Sequence, residues 1–352
     1  MDAPLWTETH APTLAELPQA DAREYLARAV EEPINLILQG PPGSGKTAAA
    51  RALAREAHDD VDNDFVELNV ADFFDRTKAE IRDDPRFSHF LQGQTAFSKQ
   101  YRRGSDQRKK YKREWSKRDM IAHVLKEQAG YAPSSGTYKT ILLDNTEGIR
   151  EDFQHALRRI MEQHHRTTQF VIATRQPSKL IPPIRSRCFP VSIRAPSSAE
   201  IATVLERIVE REGVPYDADG LEFVAGYANG DLRRAILAAQ TTALETDEIT
   251  MQSAYETIGA VGLTEEVETM LDAAETGQFT DARKTLDSLL VDEGLSGSEV
   301  LEEILAVSRK RYQGADLARI HRLAADVEFV MLEGTSDRVH VSRLLAELGR
   351  EA

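Results

Sequence analysis

Apolar residues follow two rhythms along the chain. In the first half they gather in short, largely apolar runs, at residues 34–38, 65–70, 140–143 and 169–174. Runs of that length and content predict strands buried on both faces of a parallel sheet. Pro33 and Gly40 punctuate the first run, and residues 47–57, dense in alanine around Leu53, carry strong helix propensity. Strands separated by helical or loop stretches predict an α/β architecture, a doubly wound parallel sheet flanked by helices, to about residue 194. After Ala195-Pro196 the rhythm changes. Ser197 and Glu200 have capping-box spacing, and residues 201–211, 221–227 and 232–241 repeat apolar positions with helical period. From about Leu263 everything is again helical in pattern, ending on a face made by Leu317, Ile320, Leu323, Ala324, Val327, Val330 and Met331. The expected domains are therefore 1–194 (α/β), 195–260 (small and helical) and 261–352 (all-helical).

The chain's 352 residues and 41% hydrophobic content suffice for cores of that number. A formal charge of −14, with only 12 Lys against 32 Arg, predicts a surface that repels polyanions except locally and suits a salt-rich cytoplasm. The single Cys rules out an intrachain disulfide framework and a multi-cysteine zinc module. A signal-peptide pattern and a 20-residue apolar run are both missing, so a cytoplasmic protein without a membrane span is expected. Cys188 reads as a packing residue, and the adjacent His164 and His165 diverge by about 100° on a helix, too far to share a metal.

Chemistry concentrates in Gly40-Pro41-Pro42-Gly43-Ser44-Gly45-Lys46-Thr47, a complete phosphate-loop pattern lying between a predicted strand and a predicted helix. Its glycines let backbone amides converge on a phosphate chain, and the helix N-terminus faces the same charge. Lys46 is expected to reach the outer phosphates and Thr47 to offer its hydroxyl to Mg²⁺, so ATP and Mg²⁺ are the expected cofactors. The companion motif is an apolar strand ending in a magnesium carboxylate, supplied by Ile141-Leu142-Leu143-Asp144. The next position, usually a Glu that polarises the attacking water, is Asn145. An amide can hold a water but cannot accept its proton, so hydrolysis at this chain's own site is expected to be slow or absent. Glu147, two residues on, could substitute for that Glu through a loop distortion, but its plainer reading is a solvated turn carboxylate.

The segments Gln154-His155-Ala156-Leu157-Arg158-Arg159-Ile160-Met161-Glu162 and Ile181-Pro182-Pro183-Ile184-Arg185-Ser186-Arg187-Cys188 resemble the small subunits of replication factor C, the sliding-clamp loader of archaea and eukaryotes. The likeness covers nearly the whole chain, from Trp6, Glu8 and Pro12 to Gly230-Asp231-Leu232-Arg233-Arg234-Ala235. It implies an AAA+ P-loop NTPase module, a helical lid and a helical collar through which five subunits form a ring. The implied partners are other replication factor C subunits, the sliding clamp and primer-template DNA. It further implies that Arg187 acts in trans, in the neighbouring subunit's ATP site, where a planar, permanently charged guanidinium can stabilise charge on transferring oxygens. The plainer alternative is a surface ion pair for Arg187. Arg233 resembles the lid arginine that contacts the subunit's own nucleotide, while Arg234 reads as a structural or interface residue. Two departures weaken the chain's own site further. Thr9-His10-Ala11-Pro12 stands where relatives carry Lys-Tyr-Arg-Pro, and Arg175, beside Thr174, stands where a sensor Asn is usual.

An insertion near residues 74–118 contains a basic stretch, residues 99–118, with net charge +8 against −22 for the remainder. Its Arg102, Arg103, Arg108, Lys109, Lys110, Lys112 and Arg113 are interleaved with Tyr101, Tyr111 and Trp115, as in a segment that tracks phosphates and stacks bases. A solvated loop is the bland alternative. Two further functional readings stand beside the clamp-loader subunit: a homo-oligomeric DNA motor such as a branch-migration helicase, and a structural ring subunit without nucleotide turnover.

Overall fold

The computed structural model describes residues 5–70, 76–84, 88, 90–91, 116–259, 263–291, 295–331 and 336–349. The chain folds as two compact units, Met1–Ser253 and Ala254–Ala352. In the first unit five parallel strands, β1 (Leu36–Gln39), β2 (Phe65–Asn69), β3 (Lys139–Asp144), β4 (Thr168–Thr174) and β5 (Phe189–Ser192), are arranged in the order β2-β3-β4-β1-β5. The central strands β3 and β4 are buried throughout, as their largely apolar runs require.

The main helices of this unit are α1 (Ala20–Glu31), α2 (Lys46–Ala57), α3 (Lys117–Gly130), α4 (Glu151–His164), α5 (Ser198–Glu212), α6 (Ala218–Ala228) and α7 (Leu232–Thr246). One apolar core, with Leu26, Leu36, Leu38, Leu53 and Val191, joins α1 and α2 to the sheet. A second, with Leu125, Ile141, Phe153, Leu157 and Phe170, joins α3 and α4 to it. The capping box at Ser197 and Glu200 forms as expected: the Glu200 carboxylate accepts the Ser197 amide at 2.8 Å.

β5 does not appear among the strands expected from sequence because Pro190 interrupts it. The amides of Phe189 and Ile193 donate to the carbonyls of Asn35 and Gln39 on the β1 side, so Pro190 falls at an outward-facing position of an edge strand. There its missing N–H breaks no ladder bond. The basic side chains at 102, 103, 108, 109, 110, 112 and 113 lie outside the described residues. Arg118, at the end of that stretch, is described and pairs with Asp119 and Asp152 at the surface.

The second unit is helical among its described residues, with Leu263–Glu275, Phe279–Val291, Gly297–Arg311, Gly314–Met331 and Asp337–Leu348 around a core that includes Leu271, Leu286, Ile304, Val341 and Leu345. Of the face predicted for Gly314–Met331, Ile320, Ala324 and Val327 are buried, and Leu323 and Met331 pack partly against them. No described helix is long and apolar enough to cross a membrane.

Gln154 shows how the motif segment on α4 shapes the next loop. Its side chain is buried, its Nε2 donates to the carbonyls of Ile149 and Lys179 at 3.2 and 3.0 Å, and its Oε1 accepts the amide of Ile181 at 2.7 Å. These bonds hold the turn that leads through Ile181, Pro182 and Pro183 to Arg187. Replacing Gln154 with Met, of similar volume, strands one buried and two part-buried backbone partners and is expected to cost about 1–3 kcal/mol. A urea unfolding midpoint shifted to lower concentration at unchanged slope checks this.

Candidate nucleotide site

The phosphate loop bridges the carboxyl end of β1 and the N-terminus of α2, and β3 and β4 end beside it. Gln39 is in register with Thr174, and Asn69 with Asp144, so the tips of β2, β3 and β4 lie at one edge of the sheet. Crevices at such carboxyl ends are where open α/β sheets bind ligands. The loop is held from all sides. The Gly40 amide donates to the Thr174 carbonyl, and Gln19 Nε2 donates to the carbonyls of Ser44 and Arg194 at 3.0 and 2.8 Å. Ser44 Oγ donates to the Pro41 carbonyl at 2.9 Å.

Glycine is required at two of these positions for different reasons. A Cβ on Gly40 would lie 1.9 Å from the carbonyl oxygen of Ile193, which is backbone and cannot swing aside. Gly43 has φ +65°, in the left-handed region, and a Cβ there would lie 1.9 Å from the carboxylate of Asp231. Asp231 caps α7, its side chain accepting the Arg234 amide, and the following Leu232 amide donates to the Gly43 carbonyl at 3.0 Å. The helical segment thus rests directly on the phosphate loop.

Between them lies a cavity of about 310 Å³. Its floor carries Lys46, Thr47 and Asp144, and apolar Val204, Ile208 and Ile236 line it from α5 and α7. Lys46 Nζ donates to the carbonyls of Gly40 and Pro41 at 3.0 and 2.6 Å, and Thr47 Oγ1 donates to Asp144 Oδ2 at 2.6 Å. Burial lowers the pKa of Lys46, and Arg175 lowers it further, against opposing pulls from Asp144 and Glu147. The residues fit a magnesium nucleotide. The glycines leave room for a phosphate chain against the backbone, and a hydroxyl next to a carboxylate is the hard-oxygen pair that Mg²⁺ takes alongside phosphate and water.

Of the residues expected from sequence, the structure brings Pro42, Gly43, Ser44, Gly45, Lys46, Thr47, Asp144, Asn145 and Arg233 together on this cavity. Gly40 and Pro41 stand behind it as acceptors of the Lys46 ammonium. The altered opening segment still forms part of the wall, through His10 and Pro12, and the His10 ring bonds Glu212 of α5. Asn145 sits in the left-handed region at φ 52°, ψ 50°, a conformation asparagine tolerates better than most residues, and its Nδ2 donates to Asn69 Oδ1 at 3.3 Å.

Glu147 departs from its reading as a solvated turn carboxylate. Its side chain is only 12% exposed, and its Oε1 accepts both the backbone amide of Arg175 and, at 3.4 Å, Arg175 Nε. Burial alone would raise its pKa, but these bonds outweigh it and leave the carboxyl below the ordinary range. Arg51 and Arg207 also line the cavity and were not singled out from the sequence. Arg51 pairs with Glu67 through two 2.7 Å bonds, and Arg207 leans on Glu16. No motif marks either of them.

Arg187 lies outside the cavity. Its guanidinium is partly exposed, donates to the Pro183 carbonyl at 2.8 Å and pairs with Glu162 at 2.6 Å. In the isolated chain it therefore makes the surface ion pair that was its plainer reading. Arg234 stacks over the Tyr227 ring at 4.1 Å, a structural contact. Cys188 is buried, and burial pushes its thiol up to about 12 despite the neighbouring Arg187.

Comparisons with known proteins agree with this geometry. Residues 36–196 match the model of the ATPase family associated with various cellular activities (AAA), and residues 263–347 match the replication factor C C-terminal domain. Proteins named replication factor C small subunit align over almost their full length. That of Methanocella arvoryzae is 31% identical over 97% of this chain and 95% of its own. That of Archaeoglobus fulgidus is 30% identical over 98% and 97%, and that of Halobacterium salinarum 29% over 99% and 97%. Two solved structures of RuvB mutants from Thermotoga maritima superpose with TM-scores of 0.53 and 0.51 at 15% identity, covering 84% and 83% of this chain and 86% and 84% of theirs. That likeness shows the fold alone.

Two outcomes are expected. Gly43→Ala forces the left-handed backbone and drives a methyl into Asp231, so equilibrium titration with a fluorescent ATP analogue should show affinity reduced by about 10-fold or more. Cys188, holding almost no thiolate at pH 8, should react with iodoacetamide at least about 100-fold more slowly in the native chain than in urea, followed by mass spectrometry.

Proposed function

The chain belongs to the replication factor C small-subunit family, and from that premise we propose that it is one subunit of a hetero-oligomeric clamp loader. In this reading it binds ATP with Mg²⁺ in its own pocket and lends Arg187 to the pocket of an adjoining subunit. The loader uses ATP to place the sliding clamp on primer-template DNA. One observation carries the reading: the chain keeps a complete phosphate cradle while the position that polarises water is an amide already bonded to Asn69. A site built to hold a nucleotide and poorly equipped to cleave it serves an assembly better than a lone enzyme.

Lys46 and the loop amides would hold the phosphates, Thr47 and Asp144 the magnesium, and Arg233 a phosphate from the lid side. A nucleotide bound here would supply binding energy to the assembly, while the phosphoryl transfer that powers the cycle would fall to the adjoining site. Asp144, which would hold the metal, and Asn145, an amide, could orient water, but neither is suited to take its proton. Arg187 reaches a neighbour by leaving Glu162 for a phosphate, an exchange of one exposed anion for a more highly charged one, and exposed ion pairs of this kind hold by only about 1 kcal/mol or less. The stretch at 99–118, at net +8, is the proposed DNA-tracking element on its charge and aromatic content.

Reconstitution with partner subunits tests the arrangement. Arg187→Ala is expected to slow single-turnover hydrolysis at the adjoining site by about 10³-fold, while the purified chain alone binds ATP and shows no appreciable turnover. Full-speed hydrolysis by the assembly carrying Arg187→Ala, or brisk turnover by the chain alone, overturns the reading.

A further inference from the structure

Lys139 begins β3 at the end away from the nucleotide cavity, roughly 17 Å along the strand from Asp144 at a rise of about 3.3 Å per residue. The residue is only 2% exposed, yet among the described residues no hydrogen bond or ion pair engages its ammonium. That ammonium lies 5.8 Å from the centre of the Tyr131 ring, which packs against Phe90. Tyr131 lines an open cavity of about 260 Å³ with Lys126, Glu127, Gly130 and His164, at the carboxyl ends of α3 and α4. His164 Nε2 is buried there without a hydrogen-bond partner. The charges of Lys126 and Lys139 both act on His164, so the three side chains surround one place.

The anions and carbonyls that would ordinarily answer these groups are taken. Asp64 is the carboxylate that pulls on Lys139, but the amides and hydroxyls of Ser134 and Ser135 hold it at 2.7–3.0 Å. Glu127 faces His123 at 3.8 Å. Of the helix-end carbonyls, Glu127 accepts the Tyr131 amide, Ala129 accepts Thr168 Oγ1 and His164 accepts the Thr167 amide. Burial therefore lowers the Lys139 pKa to about 8 against the pull of Asp64, and burial, Lys126 and Lys139 lower that of His164.

We propose that this cavity binds a small phosphate group, received by the Lys139 ammonium, His164 Nε2 and the Lys126 ammonium. A tetrahedral oxyanion presents acceptors in several directions, and His164 can donate through Nε2 as that neutral tautomer or as imidazolium. Charge-assisted bonds of this kind are the strong ones. On a chain whose charge outside residues 99–118 is −22, the site suits a free phosphate or phosphomonoester better than a polyanion.

Phosphate also fits the loop at Gly40–Thr47, so the test reads Lys139 and His164 individually. The full chain is acetylated with trace acetic anhydride at pH 8, and each lysine is followed by peptide mass spectrometry while inorganic phosphate is titrated against sodium chloride at equal ionic strength. Phosphate should slow Lys139 by about 5-fold or more relative to the exposed Lys284, because it holds the ammonium protonated and fills the approach. Proton NMR of the His164 ring, assigned with His164→Phe, does not depend on reagent access; phosphate should move its titration midpoint to higher pH. Lys126→Gln and His164→Phe should each raise the phosphate concentration for half protection of Lys139 by about 10-fold, with thermal melting to confirm that each variant is folded. If phosphate leaves the His164 midpoint unmoved, if chloride acts equally, or if both variants respond like the unaltered chain, the site is wrong. Stronger protection by a single-stranded oligonucleotide than by free phosphate overturns the assignment to a small anion.

Discussion

The lid segment of this protein rests on main chain. The Leu232 amide donates to the Gly43 carbonyl, and the Asp231 carboxylate occupies the space where any other residue at 43 would carry its Cβ. Ile193, at the end of the edge strand, fills the corresponding space behind Gly40. The phosphate loop is therefore compressed between the sheet and the lid at Gly40 and Gly43, where it has no side chain to yield. A loop so confined cannot change shape for a phosphate chain without shifting α7, and α7 cannot tilt without pulling on the loop. A single backbone hydrogen bond joins the loop to α7.

In the proposed reading, the distribution of charge within the pocket separates holding from cleaving. Cations are plentiful around the cavity, at Lys46, Arg51, Arg175, Arg207 and Arg233, and several rest against carboxylates of the same chain. Bases able to accept a proton from water are scarce. Asp144 is bonded to Thr47, Glu147 is bound by Arg175, and Asn145 turns its amide to Asn69 from a left-handed backbone that would cost a glutamate about 1 kcal/mol more than an asparagine. The exposed guanidinium at 187 sits apart from all of this on the loop that Gln154 holds in place.

Much of this was legible in the sequence because the relevant forces are local. Apolar runs without alternation marked the buried strands, glycines between a strand and an alanine-rich helix marked the cradle, and Ser197 with Glu200 marked the start of α5. What escaped was non-local. Pro190 hid β5, since its tolerance depends on facing outward from an edge that only the assembled sheet defines. Gln19 carries no mark in the sequence, and only the fold buries it between Ser44 and Arg194. Glu147 was misread because its environment is made by a residue 28 positions away, and Arg51 and Arg207 carried no motif although both face the pocket.

The proline on the outer edge of the sheet has a consequence of its own. An exposed parallel strand is an adhesive template on which any extended peptide can add a further row of main-chain bonds, and that is a common start of aggregation in crowded solution. At Pro190 one donor in that row is permanently absent, so sheet extension fails at the strand's centre. Whatever meets this side of the molecule finds one main-chain donor fewer and depends more on side chains, with the geometric selectivity that main-chain pairing lacks.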